Sequence, residues 1–226
     1  MFFIDPVYVL VVMLPGMLIS GAASLAVRSA FKRYSQVMSR RGITGAQAAQ
    51  ILLRRAGIVD VSIVPVQGHL SDHYNPANRQ LALSEEVYNS PSVAAVGIAC
   101  HEAGHAIQHA QKYAFLGMRT ALVPLAGVGS SLGYMVMLAG LLLSMTPLLV
   151  VGAALFSAVL LFQVVTLPVE FDASARAKRL VLETGIIDPD ERKGIDRVLN
   201  AAALTYVAAV ISSLLTLLYF YLRARD

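Results

Sequence analysis

The chain has 226 residues, 57% of them hydrophobic and only 14% charged, with a formal net charge of +4 and a mean hydropathy of +0.65. That balance excludes an ordinary soluble domain and a disordered chain, and it points to a multi-pass membrane protein. A single cysteine, Cys100, excludes an intramolecular disulfide framework and a paired-cysteine metal site, and the basic residues flank apolar runs without a nucleic-acid motif, so no nucleic-acid partner is expected.

Four runs approach the length of about 20 residues that a spanning helix needs: residues 7–27, 121–143, 147–167 and 201–222. The first lacks a basic start and a small-residue cleavage site, and reads as a retained anchor. Arg28, Lys32, Arg33, Arg40 and Arg41 follow it, which places the first loop in the cytoplasm. Residues 28–42 read as a helix continuing from the span or lying at the interface, with Phe31, Tyr34, Val37 and Met38 at helical spacing and Gly42 ending it. Thr44 then caps a helix over 45–56 that Gly57 ends. Residues 60–67 and 79–84 alternate as two short strands, and the polar loop between them predicts a small hairpin-like sheet. Arg79, Gln80, Leu81, Ala82, Leu83 and Ser84 are the candidate edge strand for an extended substrate. His73, with Asp72 in the polar loop, reads either as part of a plain turn or as support for metal ligands or an oxyanion.

Ala99-Cys100-His101-Glu102-Ala103-Gly104-His105 carries the H-E-x-x-H pattern. On a helix the two imidazoles share a face and can converge on one Zn²⁺, while Glu102 reaches a water as general base, so the pattern predicts metal-assisted hydrolysis of an amide. Ser90-Pro91 reads as the cap and first position of this helix, and the apolar approach from Val93 to Cys100 buries it. Cys100 reads as a packed small residue.

A catalytic zinc takes a third protein ligand. His109 fails on geometry, because eight residues of continuous helix place it about 12 Å along the axis from His101. Glu170, in Leu167-Pro168-Val169-Glu170-Phe171-Asp172-Ala173-Ser174, is the candidate. A carboxylate at the end of an apolar span needs a partner, and the hairpin of spans two and three returns it to the side where the histidines lie. The alternative is an interfacial Glu170 paired with Arg176 or Arg179.

Taken together, Asp72-His73-Tyr74-Asn75-Pro76, His101 to His109, Leu167 to Ser174, and Val198 to Val207 resemble the YugP-type bacterial membrane zinc metallopeptidases, over nearly the whole chain. The resemblance implies a neutral zinc metallopeptidase of the plasma membrane. A more distant similarity is to the HtpX-type and CAAX-prenyl membrane proteases, whose third ligand is a Glu followed by a supporting Asp; here Ser174 stands at the Asp position. That departure makes Asp172 and Ser174 candidate supports for the ligands. Tyr206, near the end of the last span, is a candidate oxyanion donor or an interfacial tyrosine.

The expected molecule is a mainly α membrane protein, with about four transmembrane helices and a small cytosolic α+β zinc-peptidase part. Residues 1–226 form one membrane-embedded domain, with soluble parts over about 28–118 and 170–198. It carries one Zn²⁺ on His101, His105 and Glu170 in a gluzincin-like arrangement, with Glu102 as base. Its partners are the bilayer and a protein or peptide substrate, membrane-associated, with a homo-oligomer or membrane-protein partner left open. The competing reading is a non-catalytic scaffold that keeps zinc for structure.

Overall fold

A computed structural model describes residues 5–225. The chain runs α1 (Pro6–Tyr34), α2 (Gly45–Arg55), β1 (Ser62–Val66), β2 (His73–Asn75), β3 (Gln80–Ser84), α3 (Glu85–Tyr88), α4 (Val93–Ala110), α5 (Ala114–Leu142), α6 (Thr146–Glu183) and α7 (Arg192–Arg225). Among the described residues, α1, α5, α6 and α7 are long and apolar enough to cross a membrane. Each outruns the span expected from hydropathy, because helical backbone continues into the flanking residues where the apolar side chains end.

The molecule divides into two compact units. One comprises described residues 5–24, 117–168 and 204–225. In it α5 and α6 form a tight hairpin: a Cβ added at Gly152 would lie 2.5 Å from the Met137 backbone nitrogen, and one at Gly133 would lie 2.8 Å from that of Phe156. Small residues let the helix backbones touch where lipid offers no hydrophobic drive for association. Asp5 ties the first helix to the last, accepting from the Tyr219 hydroxyl at 2.5 Å and from Arg223 Nη2 at 2.6 Å.

The other unit comprises Leu25–Leu116 and Val169–Ala203. Thr44 caps α2 as expected: its side chain accepts from Gln47 N at 3.3 Å, and its own N donates to Gln47 Oε1 at 2.9 Å. Gly57 leaves α2 at a φ of +72°, a conformation glycine takes without strain. Ala48, Ala49, Leu52 and Leu53 of α2 pack into one core with Val93, Val96 and Ala99 of α4 and Val181, Ile195 and Leu199 beyond.

Four expectations are corrected here. The helix continuing from the first span stops at Tyr34, because residues 37–39 pair with the chain entering α4: Val93 N donates to Val37 O and Ser39 N to Pro91 O, both at 2.8 Å. The sheet is not a hairpin but three-stranded in the order β1-β3-β2, with β1 parallel and β2 antiparallel to β3. Residues 73–75, expected in the polar loop, form β2, with Tyr74 opposite Leu81. Gln80, Leu81, Ala82, Leu83 and Ser84 therefore make the central strand rather than an edge. Four of them are buried, with Leu81 and Leu83 fully so, and their backbone groups are engaged by β1 along the whole strand and by β2 over Gln80 to Ala82. Arg79 precedes the strand at a φ of +52° and forms an ion pair with Asp60.

Candidate metal centre

Helix α4 is buried on nearly every side, since its first two turns are Val, Ala, Gly, Ile and Cys. Its cap is Ser92, whose side chain accepts from Ala95 N at 3.2 Å, not Ser90-Pro91. Pro91 cannot begin the helix because it lies in the paired segment, and Ser90 Oγ accepts from Ser92 N instead. Spaced by one helical turn, the His101 and His105 rings have centroids 4.7 Å apart. One ligand atom from each of His101, Glu102 and His105 lies within 4.8 Å of the others.

Glu170 reaches the same point from α6. Its Oε2 lies 3.2 Å from His101 Nε2 and 3.6 Å from His105 Nε2, and the residue is 1% exposed. Gly104 makes this possible: a Cβ there would lie 2.7 Å from the Ala173 carbonyl oxygen, so α4 and α6 touch backbone to backbone beside the histidines. The donor set fits zinc. A tetrahedral ion at about 2.0–2.1 Å from each donor holds its ligands about 3.4 Å apart, which is the spacing Glu170 keeps from both rings. A buried charged carboxylate costs several kcal/mol unless it is paired, and the partners of Glu170 in this structure include the two imidazoles.

Burial disfavours the His105 imidazolium, but the Glu170 hydrogen bond and the nearby Glu102 charge outweigh it, and the pKa stands above that of an ordinary histidine. Burial also raises Asp72, against the hydrogen bonds it accepts from Ser84 N and Oγ, and the Glu102 charge adds to the rise. Full burial pushes the Cys100 thiol up, consistent with a packed, inert residue.

A family model described as "Putative neutral zinc metallopeptidase" matches residues 9–225. The chain belongs to this zinc metallopeptidase family. It is 44% identical over 207 residues to the "Putative membrane protease YugP" of Bacillus subtilis (strain 168), covering 90% of this chain and 92% of that protein. No solved structure matches. Family and helices together make this metallopeptidase a membrane protein, and the His101-Glu102-His105 group is one that can hold the zinc the family implies.

The remaining candidates of the metallopeptidase fall in different places. Ser174 Oγ lies 3.1 Å from His101 Nδ1. Asp172 faces away from Glu170, accepting from Arg176 Nε at 2.5 Å and from Gln108 Nε2 at 2.8 Å. His73 is exposed on β2, where Nδ1 donates to the Ser71 carbonyl at 2.8 Å. Tyr206 is half-buried on α7, in the unit that does not contain the histidines. His109, a turn beyond His105, is hydrogen-bonded to the Tyr74 hydroxyl at 2.8 Å. Sequence reasoning passed over Gln108, which is fully buried with its Oε1 3.0 Å from His105 Nδ1. Its spacing of three from His105 on a helix was the available signal.

Proposed function

We propose that the chain is a gluzincin-like zinc metalloendopeptidase that hydrolyses peptide bonds of membrane-associated protein substrates at the cytoplasmic face of the plasma membrane. The observation that carries this reading is the placement of Glu170 Oε2 at 3.2 Å from His101 Nε2 and 3.6 Å from His105 Nε2, the spacing of neighbouring ligands on a tetrahedral ion, with the Glu102 carboxylate beside the two histidines. The three side chains hold one zinc. When bound, the ion supplies a Lewis acid for the scissile carbonyl and lowers the pKa of a water to about 7.

The chain's own residues supply the rest. Glu102, turned about 100° around the helix from His101, takes the proton of the attacking water at its carboxylate and passes it to the leaving amine. Ser174 holds the His101 ring from behind through Nδ1. The basic residues that flank the first span, together with Arg176, Lys178, Arg179, Arg192, Lys193 and Arg197, favour the cytoplasmic side for the catalytic part. We read the whole chain as one membrane-embedded peptidase.

Glu102→Gln, reconstituted in lipid nanodiscs, is expected to keep its zinc and lose peptidase activity by about a hundred-fold or more. Comparing the cleavage products of co-purified membrane proteins between wild type and this variant would also reveal the substrate. Zinc loss with activity retained would sink the assignment of Glu102. Identical product profiles from the two proteins would favour the zinc-stabilised scaffold.

A further inference from the structure

Gln108 is 0% exposed, on the same helix face as His105, and nothing in the proposed chemistry uses it. Its amide sits among three partners. Nε2 lies 2.8 Å from the Val169 carbonyl oxygen and 2.8 Å from Asp172 Oδ2. Neither of these donates: one is a peptide carbonyl, and the other is a carboxylate oxygen already accepting from Arg176 Nε at 2.5 Å. The amide orientation is therefore forced, with its two N–H groups directed at two acceptors. Oε1 is left facing His105 Nδ1 at 3.0 Å, and an amide oxygen only accepts. Nδ1 must then carry the proton of the neutral ring. Its lone pair is thereby placed on Nε2, the atom 3.6 Å from Glu170 Oε2.

We infer that Gln108 is a positioning residue that sets the tautomer and ring angle of His105 for the metal, and that Asp172, held by Arg176, locks Gln108 in that sense. The inference rests on the zinc site proposed above. It assigns Asp172 a different part from direct support of a ligand, since it acts through the Gln108 amide. Ser174 cannot do the same for His101, because a hydroxyl both donates and accepts and so leaves the ring tautomer open. Gln108 also joins the two helices that carry the ligands: it lies on α4, and both of its anchors lie on α6, one residue before and two residues after Glu170.

The test measures zinc affinity by chelator competition, and the His105 tautomer by ¹⁵N NMR of histidine-labelled protein in nanodiscs. Gln108→Leu is expected to weaken zinc by about 10- to 100-fold, the usual range for losing an outer-sphere partner. Above the pH at which the metal-free ring loses its second proton, it should then show a mixture of tautomers in place of the Nδ1–H form. The double variant Gln108→Glu/Asp172→Asn keeps an acceptor opposite His105 Nδ1 and exchanges the donor and acceptor in the second link. It is expected to regain part of the zinc affinity, since the Val169 carbonyl loses its donor, and it carries the test if Gln108→Leu does not fold. Wild-type affinity and an unchanged tautomer in folded Gln108→Leu, or a double variant as weak as His105→Ala, overturns the inference. His105→Ala separates the two levels: if that variant binds zinc like wild type, the metal site itself is misassigned, whatever Gln108 does.

Discussion

At the scale of single residues, the centre depends on a charge that could not be buried alone. Glu170 is 1% exposed and faces two imidazole nitrogens, so in the proposed ligand set its removal would deprive the zinc of a ligand, whereas His109 is engaged by Tyr74 a full turn away. Glu170→Ala is expected to lower zinc affinity by more than the roughly 100-fold upper range for outer-sphere changes, and His109→Ala to leave it within a few-fold. Metal analysis of the purified variants decides this, and the reverse order would move the third ligand to His109. The raised pKa of His105 gives opposite pH trends for the two forms. Protons compete with zinc for this ring, so affinity should begin to fall, as pH is lowered, at a pH above that of an ordinary histidine. In the metal-free protein the protonated ring pairs with Glu170. That stabilisation is fully present at low pH and is lost as pH rises through the raised value. Zinc titrations and thermal melts of the metal-free protein across this range measure both trends.

Helix contact supplies the geometry at the next scale up. Residues 101–105 alone define a pair of histidines; the third group arrives because α6 can lie against α4 at Gly104, where backbone meets backbone. Gly104→Ala forces a methyl to within 2.7 Å of the Ala173 carbonyl, which a helix backbone can relieve only by shifting. The expected outcome is a loss of about 1–3 kcal/mol in stability, with weakened zinc binding, seen by thermal melting with and without metal. A variant as stable and as zinc-avid as wild type would show that the α4–α6 distance does not govern the site. The sheet contributes differently. Its central strand pairs with β1 over Gln80–Ser84 and with β2 over Gln80 to Ala82, and through Ser84 it holds Asp72 close enough to Glu102 for the two charges to interact.

For the whole molecule, the balance of basic residues decides which side of the membrane the unit with the histidines faces. Arg223 and Arg225, at the end of α7, stand against the orientation set by the basic residues after the first span. The Arg223 charge, however, is neutralised by Asp5 through Nη2 at 2.6 Å and Nε at 3.1 Å, so it counts little in a positive-inside balance. Cysteine scanning suits this chain because its own Cys100 is fully buried. An Arg40→Cys variant, at a position 64% exposed whose ion pairs with Asp188 and Asp190 lie at the surface, should lose at most about 1 kcal/mol. In intact cells it is expected to resist an impermeant thiol reagent and to react only after the membrane is opened. Labelling from outside would invert the topology.

Much of this protein is determined locally. The apolar runs, the cap at Thr44, and the H-E-x-x-H face of α4 follow from hydropathy, side-chain chemistry and helical periodicity, each of which acts within a few residues and can be read along the chain. The pairing of Glu170 with the two imidazoles has a related cause, since an acidic group at the end of an apolar run needs a partner wherever the chain folds. What lay out of reach depends on partners distant in sequence. A strand's alternation says nothing about what pairs on either side of it, so β3 became central only when residues 73–75 and 62–66 were placed beside it. Ser90-Pro91 looked like a helix start until residues 37–39 claimed the backbone there. Gln108 carries no signal of its own along the chain beyond its spacing from His105, because its meaning comes from Val169 and Asp172, 61 and 64 positions away. Only tertiary structure brings an amide, a carbonyl, a carboxylate and an imidazole into one buried chain of hydrogen bonds, where each group has a single way to be satisfied.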